Sequence, residues 1–380
     1  MKCKIELLSA FSMGMVVISL GACGLGSNVH SKVVPRKTYS MSRSHFGKRE
    51  RALKWVAEEN IPKVSLNDVE FLSRSDGWVV GDKGILLETE DGGKSWKSHD
   101  LGKGITLNSV DFANVSKGWV AGRGVKKVGG TERLIILGTK DGGRKWLIEK
   151  ESGNKHGNMY CSGAFGAPNL KASLYKVIVT GNNAGLAIGS KIYRTVDGGL
   201  QWTFDYGLIN SHIKGMALCG FRGGALLKSG QGWLVGSGRG VGFTMIGLIF
   251  HTLDVGGHWS LQNGSSFMRP LNAVYFVNDS DGWVVGQDGE IFSSTDAGGK
   301  WYMQISGSVH QLNSVFFLNA SEGWVVGNSG VILATTDGGR HWFRENSGTR
   351  ANLHSVYCVP SGCWAVGSHG TILHLRLGHG

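Results

Sequence analysis

The sequence predicts an all-β fold: a seven-bladed β-propeller of four-stranded antiparallel blades, its ring closed by pairing of the N- and C-terminal strands. Three observations carry that reading. A Gly-Trp-Val-Val-Gly-like run recurs seven times, at Trp78, Trp119, Leu186, Trp233, Trp283, Trp324 and Trp364. A Leu-x-x-Val run precedes each one, at Leu66, Leu107, Leu174, Ile213, Leu271, Leu312 and Leu353, with Met216 replacing Val in the fourth. A (Ser/Thr)-x-Asp-x-Gly-x-x-Trp box follows six of them, at Asp91, Asp141, Asp197, Asp254, Asp296 and Asp337. A period of about 40 residues with about four strands per unit is the mark of a propeller.

The unit from Leu312 to Trp342 shows each element. Leu312–Phe317 alternates apolar and polar residues and reads as strand A. The β-branched runs in Gly323–Gly327 and Val331–Leu333 read as strands B and C. Asp337-Gly338 marks the C–D turn, because glycine reaches positive φ without steric cost. Strand D leaves from Trp342. The six box aspartates are expected to accept backbone N–H bonds and fix this turn, a structural role. Six copies around a ring cannot all be one active site.

Ring closure is read from spacing. From the box Trp to the next Leu-x-x-Val run is 11 residues at Trp96→Leu107, Trp202→Ile213, Trp301→Leu312 and Trp342→Leu353, and Trp55→Leu66 matches. Trp55 is therefore expected to begin the fourth strand of the last blade, with Glu50 where a box Asp would stand. Closure of this kind removes the free sheet edge of a linear array.

Ahead of the ring, Lys2 and Lys4 precede a 14-residue apolar run, Leu7–Leu20, and Leu20-Gly21-Ala22-Cys23 has the form of a lipobox. The run is short for a membrane span. The expected organisation is a lipoprotein signal peptide at 1–22, a basic tether at 23–49 and the propeller at 50–380. Cys23 would carry lipid, making the chain an exported lipoprotein anchored to a membrane. The tether holds Lys32, Arg36, Lys37, Arg43, Lys48 and Arg49 and no acid. The formal charge of +12 favours acidic partners. No nucleic-acid motif is present, and nucleic acid is not an expected partner.

Functional residues are sought where the repeat breaks. B–C and D–A connections share one face of the ring; A–B and C–D connections share the other. Enlarged segments at Arg123–Arg133, Leu147–Ser173 and Ser237–Gly247 all fall on the first face, in adjacent blades, and a longer A–B loop is read at Gly220–Gly230. Arg123, Lys126, Lys127 and Arg239 are the partner-binding candidates. Of the cysteines left after Cys3 and Cys23, Cys358 and Cys363 flank one hairpin and are the first expected disulfide, leaving Cys161 with Cys219.

One pair of carboxyls could do chemistry. Glu70 and Asp111 share a strand-A position that later blades fill with Tyr275, Phe316 and Tyr357. They are weak catalytic candidates for a secreted Asp-box glycoside hydrolase of sialidase type, or a glycan-binding protein, the alternative reading. No metal-ligand cluster and no cofactor motif is expected.

Taken together, Gly77–Trp96 and Gly323–Trp342 resemble the photosystem II stability and assembly factor family, and the resemblance covers Trp55–Leu375. It implies a lumenal seven-bladed propeller, lipid-anchored in cyanobacteria. It further implies a non-enzymatic role, binding early reaction-centre subunits during assembly; the chain itself is expected to be a monomer. It transfers no individual binding residue.

Overall fold

The computed structural model describes residues 54–125, 132–153, 173–181, 183–205, 217–239, 245–262, 267 and 269–377. Their strands form seven four-stranded antiparallel sheets. Blade 1 is β2 (Leu66–Phe71), β3 (Gly77–Gly81), β4 (Ile85–Thr89) and β5 (Lys97–Asp100). Blade 2 is β6 (Ile105–Phe112), β7 (Gly118–Val125), β8 (Glu132–Thr139) and β9 (Leu147–Gly153). Blade 3 is β10 (Leu174–Val179), β11 (Gly185–Gly189), β12 (Ile192–Thr195) and β13 (Thr203–Phe204). Blade 4 is β14 (Ala217–Leu226), β15 (Gly232–Arg239), β16 (Met245–Thr252) and β17 (Ser260–Gln262). Blade 5 is β18 (Leu271–Phe276), β19 (Gly282–Gly286), β20 (Ile291–Ser294) and β21 (Tyr302–Gln304). Blade 6 is β22 (Leu312–Phe317), β23 (Gly323–Gly327), β24 (Ile332–Thr335) and β25 (Phe343–Glu345). Blade 7 joins β26 (Leu353–Val359), β27 (Gly362–Gly367) and β28 (Thr371–Arg376) to β1 (Trp55–Ala57) from the other end of the chain.

The ring is closed. Strand A of every blade packs on strand A of the next, and β26 packs on β2. In the last blade Trp55 lies opposite Leu375 and Ala57 opposite Leu373. Trp55 thus occupies the place that Trp342 holds in blade 6, as the spacing predicts.

Aromatic stacking between blades explains the repeated motif. At three seams the strand-B Trp of one blade lies flat on the last strand-A residue of the next. Trp364 stacks on Phe71 at 3.6 Å, Trp233 on Phe276 at 3.5 Å and Trp283 on Phe317 at 3.5 Å. The box Trp meets that Phe edge-on, as Trp342 does Phe317 at 5.9 Å. A buried aromatic removed to Ala costs about 3–5 kcal/mol. In blades 1, 2, 5 and 6 the glycine before the strand-B Trp is required because the Phe at the end of strand A covers it: a Cβ on Gly323 would sit 2.6 Å from the Phe317 ring.

Blade 4 departs from the expected register. Ile213 and Met216 lie outside the described residues. The residue facing Gly236, as Leu312 faces Gly327, is Phe221, and strand A runs to Leu226. Gly220–Leu226 is therefore strand, and the expected long A–B loop is a turn between Leu226 and Gly232. The sequence hid this because Gly224 stands where other blades carry Val. A Cβ there would meet Ile188 at 2.5 Å and Ile178 at 3.2 Å, so side chains of blade 3 occupy the space.

Two more corrections concern the breaks. Arg123 and Arg239 are not in loops. They lie in β7 and β15, opposite Leu134 and Met245, because the B–C hairpins of blades 2 and 4 extend their ladders. The start of the Leu147–Ser173 insertion is strand β9. Cys358 and Cys363 face each other across β26–β27 and form a disulfide, Cα–Cα 4.1 Å. Cys219 is disulfide-bonded too; Cys161, like Cys23, Lys126, Lys127 and Glu50, lies outside the described residues.

Candidate partner-binding face

Strand A of each blade starts on the face that carries the D–A and B–C connections. There a hydrogen-bonded clip joins neighbouring blades. Asn67 Nδ2 donates to the Leu107 carbonyl at 2.8 Å, Asn108 to Leu174 at 2.7 Å, Asn272 to Leu312 at 2.8 Å and Asn313 to Leu353 at 2.7 Å. His354 Nδ1 continues the series at the closing seam, 2.9 Å from the Leu66 carbonyl. The sequence carries the signal as a repeated Leu-Asn dipeptide, at 66–67, 107–108, 271–272 and 312–313.

The clip fails in blades 3 and 4. The equivalent residues are Tyr175 and Arg222, and the Arg222 guanidinium lies 5.7 Å from the Tyr175 ring centroid. These are two of the three blades whose B–C or D–A segments are enlarged. The sector also carries Lys150, over the Tyr193 ring at 5.5 Å, and the Arg133–Glu151 ion pair. Two breaks in the repeat thus coincide on one face: lengthened hairpins, and a clip replaced by the half-buried Tyr175 and the exposed Arg222.

Deeper along the inner strands four charged side chains meet, with Glu70 and Asp111 toward the opposite, box-bearing end. Asp68 accepts hydrogen bonds from Ser109 and Ser355, each at 2.7 Å, and pairs with Lys176 at 2.9 Å. Glu70 Oε1 accepts the Phe112 N–H at 3.3 Å, and Asp111 accepts the Val179 N–H at 2.5 Å. Both catalytic candidates are thus committed to the next blade's backbone. Burial, then the negative Asp111 beside it, holds the Glu70 carboxyl well above the usual range. Burial pushes Asp111 up to about 7, against the opposing pull of Lys176. Burial would lower Lys176, but Asp68 and Asp111 outweigh it and its ammonium sits above the ordinary value. Two acids of raised pKa beside a lysine could move protons, but their hydrogen bonds are those of seams.

The six box aspartates lie in the C–D turns. In blade 6, Thr335 Oγ1 donates to Asp337 Oδ1 at 2.9 Å and accepts the Gly339 N–H at 2.9 Å, while Asp337 accepts the His341 N–H at 3.0 Å. The same bonds recur at Asp91, Asp141, Asp197, Asp254 and Asp296. Donors aimed at the carboxylate, Ser95 first, bring Asp91 down to about 2. Among the described residues, no three His, Cys, Asp or Glu side chains are placed to share a metal ion.

The sequence matches the family described as Photosynthesis system II assembly factor YCF48 over residues 48–203 and 263–351. No curated protein matches the chain. Among solved structures, "YCF48 bound to D1 peptide" is similar at a TM-score of 0.61 and 21% identity, covering 87% of this chain and 97% of that one. YCF48 from Cyanidioschyzon merolae has a TM-score of 0.61 at 19% identity, covering 85% and 98%. The GH74 xyloglucanase from Xanthomonas campestris reaches 0.58 at 15% identity, covering 84% of this chain and 53% of that one. These likenesses show the fold. The family match spans more than half of the chain, in stretches that carry five of the seven strand-B runs and five of the six boxes. The chain belongs to the Photosynthesis system II assembly factor YCF48 family.

Proposed function

We propose that this protein is a non-enzymatic, monomeric assembly factor that holds a segment of a photosystem II reaction-centre subunit on the blade 2–4 face. It would be exported and tethered through a lipidated Cys23 after loss of residues 1–22. One observation carries the reading: a family member of the same fold has been solved with a D1 peptide bound. Within this chain, the coincidence of the missing clip with the lengthened hairpins supports the choice of face. Arg222, Arg123 and Arg239 there suit a segment with acidic groups.

The test is affinity capture from solubilised membranes with the anchored protein. Recovery of reaction-centre precursors is the expected outcome. The combined variant Arg123→Glu, Lys126→Glu, Lys127→Glu, Arg222→Glu and Arg239→Glu should lose that recovery while still melting cooperatively. Undiminished recovery would remove the face from consideration.

A glycan-hydrolysing reading draws on the raised Glu70 and Asp111. Turnover of a glycan, abolished by Glu70→Gln together with Asp111→Asn, would favour it over the assembly reading.

A further inference from the structure

The outer wall of the ring differs between its two halves. The first residue after the box Trp is the outward position of strand D, and the registers identify it in each blade. In blades 1, 3 and 4 it is Lys97, Thr203 and Ser260. In the consecutive blades 5, 6 and 7 it is Tyr302, Phe343 and Val56. These are 59%, 43% and 55% exposed, and the neighbouring Met303 and Ile305 are 67% and 88% exposed. Blade 2 alone breaks the pattern: Leu147 and Ile148 are 57% and 58% exposed there, with polar outward residues in the flanking blades 1 and 3.

Two further observations indicate what covers this wall. Lys54, Lys300 and Arg344 are exposed within or beside its strands, so cations flank the apolar residues, with Glu59 the exposed acid that follows β1. The chain preceding the described residues joins the ring at Lys54, on this wall. That chain carries six basic residues and no acid between 24 and 49. Apolar side chains with an amphipathic Tyr and flanking cations match the boundary between acyl chains and anionic headgroups.

We propose that the outer wall of blades 5–7 docks on an anionic bilayer surface. The ring then stands edge-on to the membrane, leaving the blade 2–4 face open. The proposal does not rest on the photosystem partner or on acylation of Cys23.

Deuterium exchange of the full chain, with and without vesicles of phosphatidylcholine containing a minority of phosphatidylglycerol, tests it. Protection confined to 302–305, 343–345 and the start of β1 is expected. Since exchange is read along the chain, attachment through the segment before Lys54 cannot mimic it. The variant Tyr302→Ser, Met303→Ser, Ile305→Ser should lose that protection and lower vesicle partitioning by about tenfold. Leu147→Ser with Ile148→Ser, on the opposite wall, should change neither. No protection, or equal protection of all seven outer strands, would overturn the assignment. So would the same protection arising without lipid as protein concentration rises, which would give the wall to a second copy.

Discussion

Trp55 donates its indole Nε1–H to Glu345 Oε2 at 2.6 Å, across 290 positions of sequence. Trp342 makes the same bond to Gln304 Oε1 at 3.0 Å one blade earlier, and Trp202 reaches Glu149 at 3.3 Å. The closing strand thus enters the ring by the bond that other seams use.

That relationship separates two variants. Trp55→Ala removes a buried ring and should lower unfolding free energy by about 3–5 kcal/mol. Trp55→Phe keeps most of the ring but leaves Glu345 short of a donor, at about 1–3 kcal/mol. Urea titrations give both values, and a Trp55→Phe protein as stable as the parent would show the bond to be idle.

The inner carboxyls should give stability an inverse dependence on pH. Glu70 and Asp111 have folded pKa values raised above those of the unfolded chain. Between the two, the folded state holds protons that the unfolded state has lost. Stability from this source is therefore greatest at acid pH and falls as pH rises from about 4 towards 7. Glu70→Gln with Asp111→Asn should flatten that decline by on the order of 2 kcal/mol. Parallel slopes for parent and variant in denaturant titrations across that range would contradict it. The box aspartates act oppositely: with depressed pKa values, their contribution is present above about 4 and lost at strong acid.

Seam clips should not be equal. Asn272→Ala leaves the buried Leu312 carbonyl without its donor and is expected to cost about 1–3 kcal/mol. Arg222→Ala removes only an exposed guanidinium above a ring, worth about 0.5–1 kcal/mol. If the Arg222 variant proves the weaker protein in thermal melts, the seam between blades 3 and 4 depends on that pair far more than its geometry suggests.

Two boxes hold strain that the others avoid. Where Gly338 has φ of 74°, Ala297 and Val255 are held at 59°. A left-handed residue with a Cβ costs about 1–2 kcal/mol. Ala297→Gly should therefore stabilise by about 0.5–1 kcal/mol after its own chain-entropy cost. Calorimetry showing a lower melting temperature would mean the Ala297 methyl earns more by packing.

Much of the fold was legible because each blade repeats one solution to the same packing problem. Trp324 must lie on the next blade and Gly323 must admit Phe317, so both recur and can be counted. Trp55 was findable because the box-to-strand distance is fixed by the width of a sheet. Blade 4 was misread because Gly224 solves the problem differently, with Ile188 and Ile178 filling the volume from the adjacent blade. The Asn clips escaped because a Leu-Asn pair looks like any strand residue until a carbonyl from forty positions away arrives beside it. The loss of the clip at Tyr175 and Arg222 was invisible for the same reason.

The order of synthesis gives β1 an unusual history. It leaves the ribosome before any other strand of the ring, yet β28, its pairing neighbour, emerges last. Until β28 is available, β1 has no strand to pair with, and the bond between Trp55 and Glu345 has no sheet to hold it. The last blade therefore cannot be completed by any fragment that lacks either end of the ring sequence.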